Sequence, residues 1–336
     1  MNIGLTYNVA KEVPAGKPKD IYAEFDAPET IDAIKNALSL RGKVYPIEAD
    51  EGAYLKLNDL RNDLDIVFNI AEGIRGETRE SQIPAMLEML GIPYTGSDPL
   101  TLAITLDKAR TKEILTYYKI PNPEFKVYSS LPPKSDHFLL PAIVKPLSEG
   151  SSKGIREDSV VSTQKELVER VKQRLDEYKQ PVIVERFLDG REFTVAIIGN
   201  KELKVLPLIE ILFDDLPPES KGIDSYEAKW VWDDPAKPLD CISCPADVDP
   251  KLEAEIKRVA IDAYKALGCR DWSRIDVRLD EKDVPNILEL NALPGMISDP
   301  KANSRFPAAA RAAGLTYDDT LLTVLDYALE RYGIKR

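Results

Sequence analysis

Apolar positions along the chain change period repeatedly. In Asp65-Ile66-Val67-Phe68-Asn69-Ile70 they run almost without a break, which predicts a buried strand. From Arg79 to Leu90 they recur at Ile83, Met86, Leu87 and Leu90, the spacing of one helix face, and Gly91 follows as a stop. The turn-rich Ile92-Pro93-Tyr94-Thr95-Gly96-Ser97 closes a first lobe, residues 1–96. A helix near Asp107–Tyr118 opens a central lobe, residues 97–188. Apolar strands follow at Ala142–Lys145 and Val182–Glu185, and between them lies a helix carrying Leu167, Val168, Val171 and Leu175. The remaining lobe, residues 189–336, has strands near Phe193–Ile198 and Leu203–Ile209, a helix from Pro250 to Leu267, and strands at Ser273–Leu279 and Asn286–Leu290. Asp249 suits the N-cap of that long helix, Pro250 its first position and Gly268 its end. Strands and helices alternate, so the chain reads as α/β. The stretch Phe213–Asp234, rich in Pro, Gly, Asp and aromatics, is long for a bare connection and predicts a functional loop.

Composition narrows the function classes. A chain of 336 residues fits two or three lobes rather than one core. Its net charge of −12 argues against a nucleic-acid partner, which needs a basic face. No run of 18 apolar residues is present, so no membrane span is predicted. Met1–Asn8 lacks a basic region followed by an apolar one, so no signal peptide is expected, and three cysteines, an odd number, suggest a reducing cytoplasm. Cys241 and Cys244 form a C-x-x-C pair. A structural zinc site needs four ligands, and only Cys269 and His137 remain. The pair therefore reads as two ordinary cysteines near a strand. The single histidine, in the loop-like Lys134-Ser135-Asp136-His137, has no nucleophile motif beside it and excludes a Ser-His-Asp relay.

Three segments carry chemistry. In Lys145-Pro146-Leu147-Ser148-Glu149-Gly150-Ser151-Ser152-Lys153-Gly154 a lysine ends a buried strand and a Gly/Ser loop follows. Lysine offers a point charge to phosphate oxygens, and glycines let backbone N–H groups approach them. The spacing is not that of a Walker A loop. In Arg274-Ile275-Asp276 and Glu289-Leu290-Asn291, polar residues two apart share a strand face. If those strands pair, two carboxylates and an amide converge, an all-oxygen set that suits magnesium arriving with nucleotide phosphates. In Glu185-Arg186-Phe187-Leu188-Asp189-Gly190-Arg191-Glu192 a strand runs into a turn with backbone and acidic groups able to read a base and a ribose.

Taken together, Lys108, the Lys145 loop, Glu185 to Glu192, Tyr226-Glu227-Ala228-Lys229, Cys244-Pro245-Ala246, Arg274-Ile275-Asp276 and Glu289-Leu290-Asn291-Ala292-Leu293-Pro294-Gly295-Met296 stand in the order seen in D-alanine–D-alanine ligases. From about Leu64 onward the chain resembles that family. The resemblance implies an ATP-grasp fold of three lobes: a parallel α/β N-terminal domain, a small central subdomain and an α+β C-terminal subdomain. It implies ATP and magnesium, two ions, with manganese as a substitute. Lys108 and Lys145 would hold ATP phosphates, with Ser152 on the same loop. Glu185, the backbone at Leu188, and Glu192 would take adenine and ribose. Ser151 would lie beside the reacting carboxylate, Lys229 would reach the γ-phosphate when its loop closes, and Arg274 would stabilise the transferring phosphoryl group. Asp276, Glu289 and Asn291 would bind the metal, and Ser304 the second substrate's carboxylate. The family also implies small amino-acid-like substrates and a homodimer.

The match is poorest where the first acid should sit. Gly4-Leu5-Thr6-Tyr7 replaces the family's glycine pair. Asn69 to Ser81, with Glu72, Arg75 and Arg79, replaces a segment that carries a histidine. Trp230 stands for a tyrosine, and residues 299–303 look like an insertion before Ser304. Either Glu12 or Glu24 would be the family's amine-binding glutamate. Arg75 and Arg79 are read either as solvated residues at a helix start or as cations reading an extra carboxylate or a larger first acid. The expectation is an ATP-dependent carboxylate–amine ligase with an altered first-substrate site. The alternatives are an ordinary D-alanine–D-alanine ligase, a small-molecule kinase on the same scaffold, or an ATP-binding module without turnover.

Overall fold

The computed structural model describes residues 1–13, 20–133, 135–214, 216–217, 220–228 and 241–335. In the N-terminal lobe β1 (Asn2–Tyr7), α1 (Pro28–Ser39), β2 (Lys43–Glu48), α2 (Ala53–Leu60), β3 (Ile66–Asn69) and α3 (Gln82–Leu90) follow in turn. The strands form a parallel sheet in the order β2-β1-β3. Successive side chains leave opposite faces of a strand, and both faces are covered, as a parallel sheet requires. Ile3, Leu5, Ile66 and Phe68 pack toward α1, whereas Val67 joins Leu57, Ile83 and Leu87 on the side of α2 and α3. Arg79–Ser81 is a short 3-10 turn ahead of α3, and Gly91 ends that helix at φ 69°.

Helices α4 (Pro99–Leu106) and α5 (Lys108–Tyr117) come next, and the Asp107 side chain caps α5 by accepting from the N–H groups of Ala109 and Arg110. The central lobe has β4 (Phe125–Tyr128), β5 (Ala142–Pro146), β6 (Val160–Val161), α6 (Gln164–Tyr178) and β7 (Val182–Arg186), with an antiparallel sheet ordered β4-β7-β5-β6. A capping box between Thr163 and Glu166 starts α6, whose Leu167 and Val171 pack on Val144, Val182 and Val184. Val168, expected on that face, is exposed.

The C-terminal lobe contains β8 (Glu192–Gly199), β9 (Leu203–Val205), β10 (Ile209–Ile211), β11 (Ile242–Ser243), α7 (Pro250–Ala266), β12 (Trp272–Leu279), β13 (Pro285–Asn291), α8 (Arg305–Ala312) and α9 (Tyr317–Tyr332). Its antiparallel sheet runs β11-β10-β8-β12-β13, with β9 also paired to β8. The single strand expected over Leu203–Ile209 is two, separated by Leu206-Pro207-Leu208, because Pro207 has no N–H to give a ladder. Asp249 caps α7 as its sequence predicts. One face of the sheet, with Val195, Ile197, Ile275 and Val277, meets Ile256, Val259 and Ala263 of α7. Leu102, Leu115 and Ile120 belong to this same core. So the stretch beginning at residue 97, which the sequence boundary assigns to the central lobe, packs its apolar side on the large sheet. The opposite face buries Trp272, which meets Phe68 of the N-terminal lobe and Phe306 of α8 edge-on, at ring distances of 5.8 and 5.4 Å.

Candidate active site

Trp272, Arg274, Asp276 and Arg278 alternate along β12 and therefore share one face. The ladder places Arg274 opposite Asn291 and Asp276 opposite Glu289, while on the other side Asp276 faces Thr194 and Arg278 faces Glu192. Past Trp272 the apolar face thus becomes a polar floor. Asp276 accepts from Thr194 Oγ1 at 2.7 Å through Oδ1, and from Arg274 and Asn291 at 3.1 and 3.3 Å through Oδ2. Two carboxylates and an amide oxygen, Asp276, Glu289 and Asn291, are the hard oxygen donors that magnesium takes. Arg274 Nε is buried and has no hydrogen-bond partner among the described residues, which leaves a donor for a phosphoryl oxygen.

A wall of lysines and glutamates stands beside this floor. Lys108 Nζ is 3.0 Å from Glu289 Oε1 and also donates to the Glu149 carbonyl. Lys145 Nζ is 3.1 Å from Glu185 Oε2, and Lys112 Nζ is 3.5 Å from Glu185 Oε1. Burial opposes the charges on Glu185 and Glu289, yet the adjacent lysines outweigh it and hold both carboxyls below their ordinary range. Burial also opposes the charge on Lys108, and the Glu289 carboxylate reverses the shift upward. For Lys112 burial wins, and its pKa falls to about 8. Lys145, Ser152, Glu185, Phe187, Leu188, Glu192, Asp276 and Glu289 line one cleft. Glu185 Oε1 is fully buried and, among the described residues, accepts no hydrogen bond, with only the longer ion-pair contact to Lys112 beside it. Glu192 pairs with Arg278 at 2.9 Å, although burial still raises its pKa. These groups could hold a nucleotide, with the lysines as the cations available to its phosphates and the buried acceptor available to a donor on its base.

The Gly/Ser loop closes the cleft from above. Ser151 and Ser152 take φ of 48° and 58°, a left-handed region that costs a non-glycine residue about 1–3 kcal/mol. Gly154, at φ 71°, follows, and a Cβ there would lie 2.4 Å from Pro146 Cγ. Ser152 Oγ donates to the Asp224 carbonyl at 2.8 Å, joining this loop to the long loop expected to act as a lid. Residues 220–228 of that loop are tied down at both sides. Lys221 N and Ser225 Oγ donate to Glu157, and Asp224 pairs with Arg305 at 2.7 Å. The expected site residues Lys229 and Trp230 lie outside the described residues.

The first-acid region departs from the sequence expectation. Arg75 is on the outer surface, paired with Glu51 at 2.6 Å, with 76% of its side chain exposed. It is solvated and does not read an acid. Arg79 is buried but spent internally, on both oxygens of Glu24, on Glu149 at 3.0 Å and on the Ser148 carbonyl at 2.9 Å. Neither arginine is a cation open to an extra carboxylate. Glu24, rather than Glu12, reaches this region. It also takes Lys153 at 3.3 Å and the N–H of Gly150 at 2.7 Å. Burial opposes its charge, but Arg79 and Lys153 prevail and its pKa falls to about 2. Acceptor oxygens of Glu24, Glu72 and Glu80 lie within 4.8 Å of one another. Burial, reinforced by neighbouring acids, raises Glu72 well above the ordinary range and Glu80 to about 8. Ser304 precedes α8, and its Oγ accepts from the N–H of Ile297 at 3.3 Å. Sequence reading missed Lys112, Glu80, Arg278 and Arg305. Lys112 had a visible signal, since it sits one helical turn after Lys108 and so shares its face.

Comparison with known proteins gives the family and the fold. The family model for the D-alanine–D-alanine ligase C-terminus matches residues 122–326. The D-alanine–D-alanine ligase of Pelotomaculum thermopropionicum is 34% identical over 319 residues, covering 92% of this chain and 93% of the relative. The uncharacterized protein y4sG of Sinorhizobium fredii is 36% identical over 267 residues, covering 80% and 75% of the two chains. The crystal structure of D-alanine–D-alanine ligase from Bacillus anthracis complexed with ATP matches with a TM-score of 0.72 at 23% identity, covering 99% of each chain. The fold is thus the ATP-grasp fold, and its class is that of ATP-dependent enzymes that form carbon–nitrogen bonds. Within that class the chain belongs to the D-alanine–D-alanine ligase family. Among the described residues no helix is long and apolar enough to cross a membrane.

Proposed function

We propose that the protein joins the carboxylate of one amino-acid-like substrate to the amine of another through an acyl phosphate, releasing ADP and phosphate. The observation that carries this reading is the pairing of Asp276 with Glu289 and of Arg274 with Asn291 across one ladder, beside the Lys145–Glu185 pair. A carboxylate is a poor electrophile. Transfer of the γ-phosphoryl group to it creates a leaving group, and attack by an amine then expels phosphate. Lys108 and Lys145 hold the phosphates, and Ser152 stands on the loop above them. Glu185 and Leu188 face the adenine and Glu192 the ribose. Arg274 stabilises charge on the transferring group, and Ser151 lies beside the reacting carboxylate. Asp276, Glu289 and Asn291 would hold magnesium, two ions, which spreads negative charge on the phosphates. Ser304 takes the carboxylate of the second substrate, and Lys229, outside the described residues, would serve the γ-phosphate.

Glu24, Glu72 and Glu80 gathered in the first-acid region, with Arg75 outside it and Arg79 paired internally, favour a first substrate that brings a cation over a more anionic one. With Glu24 already saturated by Arg79 and Lys153, Glu72 and Glu80, which burial biases toward the neutral form, are the acids that a substrate ammonium group would draw into the ionised state. The first substrate in this reading is an amino acid with its own free amine. A second reading, ordinary D-alanyl-D-alanine synthesis, is favoured by the likeness to the Pelotomaculum thermopropionicum D-alanine–D-alanine ligase, 34% identical along 92% of the chain. Screening ATP hydrolysis against pairs of D- and L-amino acids, with mass spectrometry of the products, separates them. An amide with ADP and phosphate is expected. AMP with pyrophosphate would sink the acyl-phosphate reading, and a stable phosphorylated product would make the protein a kinase.

A further inference from the structure

Lys112 lies behind the nucleotide cleft rather than in it. Its side chain is 1% exposed, and the ammonium donates to the Leu288 carbonyl at 3.1 Å and stands 3.5 Å from Glu185 Oε1. Glu185 lines the cleft and Lys112 does not, so Lys112 meets a ligand only through that glutamate. Lys145 already approaches the other oxygen, Oε2, at 3.1 Å. One lysine would suffice for charge balance. Two lysines, one per oxygen, also fix the plane of the carboxylate and keep it ionised. The contact from Lys112 to Oε1 is too long for a well-formed hydrogen bond, and Oε1 has no other partner among the described residues. The lone pairs of a fixed, ionised, buried oxygen therefore remain available to a donor.

An ionised carboxylate can only accept. A purine that presents an exocyclic amine to Oε1 satisfies it, whereas a purine with a carbonyl at that position sets lone pair against lone pair. We infer that Lys112 is a positioning residue for base selection: by holding Glu185 ionised and oriented, it makes the site take 6-aminopurine nucleotides and refuse 6-oxopurine ones. This rests on the proposed reading in which Glu185 faces the adenine.

The test is equilibrium binding of ATP and of inosine triphosphate, which differ in the group at position 6, to the full-length protein by calorimetry. Wild type is expected to prefer ATP by about tenfold or more, the cost of one buried acceptor left unmatched. Lys112→Gln retains a donor for the Leu288 carbonyl but removes the charge. It should bring the preference within about threefold, and Lys112→Arg should keep it. Lys112→Met serves as a second charge-free variant, with urea midpoints confirming that the proteins compared are folded. Glu185→Gln can donate to a carbonyl and should move the preference toward inosine triphosphate. An unchanged ratio in folded Lys112→Gln or Lys112→Met, with both nucleotides weakened equally, would overturn the role of Lys112 if Glu185→Gln alters the ratio. An unchanged ratio in Glu185→Gln as well would instead sink the adenine reading beneath it.

Discussion

Arg79 and Glu24 stand 55 positions apart in the chain, and the guanidinium reaches both oxygens of the carboxylate, at 2.7 and 2.8 Å. The same arginine takes Glu149 and the Ser148 carbonyl, so it binds the N-terminal lobe to the Gly/Ser loop. Both partners are nearly sealed from water, with side chains 9% and 4% exposed. Removing one partner of such a pair leaves a charge without compensation. Arg79→Ala should therefore destabilise the protein by about 3–5 kcal/mol. Arg75→Ala, at an exposed pair, should change stability by less than about 0.5 kcal/mol. Urea unfolding of both variants is the measurement, and equal effects would contradict this division between a buried and a solvated arginine.

Glu80 makes the opposite contribution. Among the described residues it has no ion-pair partner, and burial together with the Glu24 charge raises its pKa from 4.5 to about 8. Folding then favours the protonated form. Stability from this group is full below about pH 4.5 and declines as the pH rises toward 8. Glu80→Gln stays neutral throughout. The stability of the variant relative to wild type should grow across that window and level off above it. A difference that is flat with pH would show that Glu80 is ionised in the folded protein.

Arg274→Met should lower kcat by about 100- to 1,000-fold, the usual loss when one donor to developing charge is removed. Its effect on ATP affinity should be much smaller, because Lys108 and Lys145 remain. Asp276→Asn should likewise abolish most turnover, and chelation of divalent ions should do the same to wild type, reversibly on adding magnesium or manganese. Wild-type rates in purified Asp276→Asn would end the metal assignment.

Glu157 holds the long loop by accepting from Lys221 N and Ser225 Oγ, each at 2.6 Å. An acyl phosphate must be kept from water. Glu157→Ala should loosen the loop and raise the phosphate released per amide formed above one, as part of the intermediate hydrolyses. Coupled phosphate and product assays read this ratio directly. A slower enzyme with unchanged stoichiometry would mean that the loop does not exclude water.

Local pattern carried much of this protein into view. The caps of α7 at Asp249 and Gly268 depend on residues next to the helix ends. The sharing of a face by Arg274 with Asp276, and by Glu289 with Asn291, depends only on the two-residue period of a strand. Helix α9 is equally local in its signal, with buried Leu321, Val324, Leu325 and Ala328 at helical spacing behind a Thr316–Asp319 capping box. Pairings over long distance are another matter. That Asp276 meets Glu289 and Thr194, that Lys112 backs Glu185, and that Arg79 serves Glu24 while Arg75 faces water follow from how whole lobes pack. A sequence states which side chains are charged and which share a local face. Which charge finds which partner, and how far water is kept from both, exists only once distant segments are brought together.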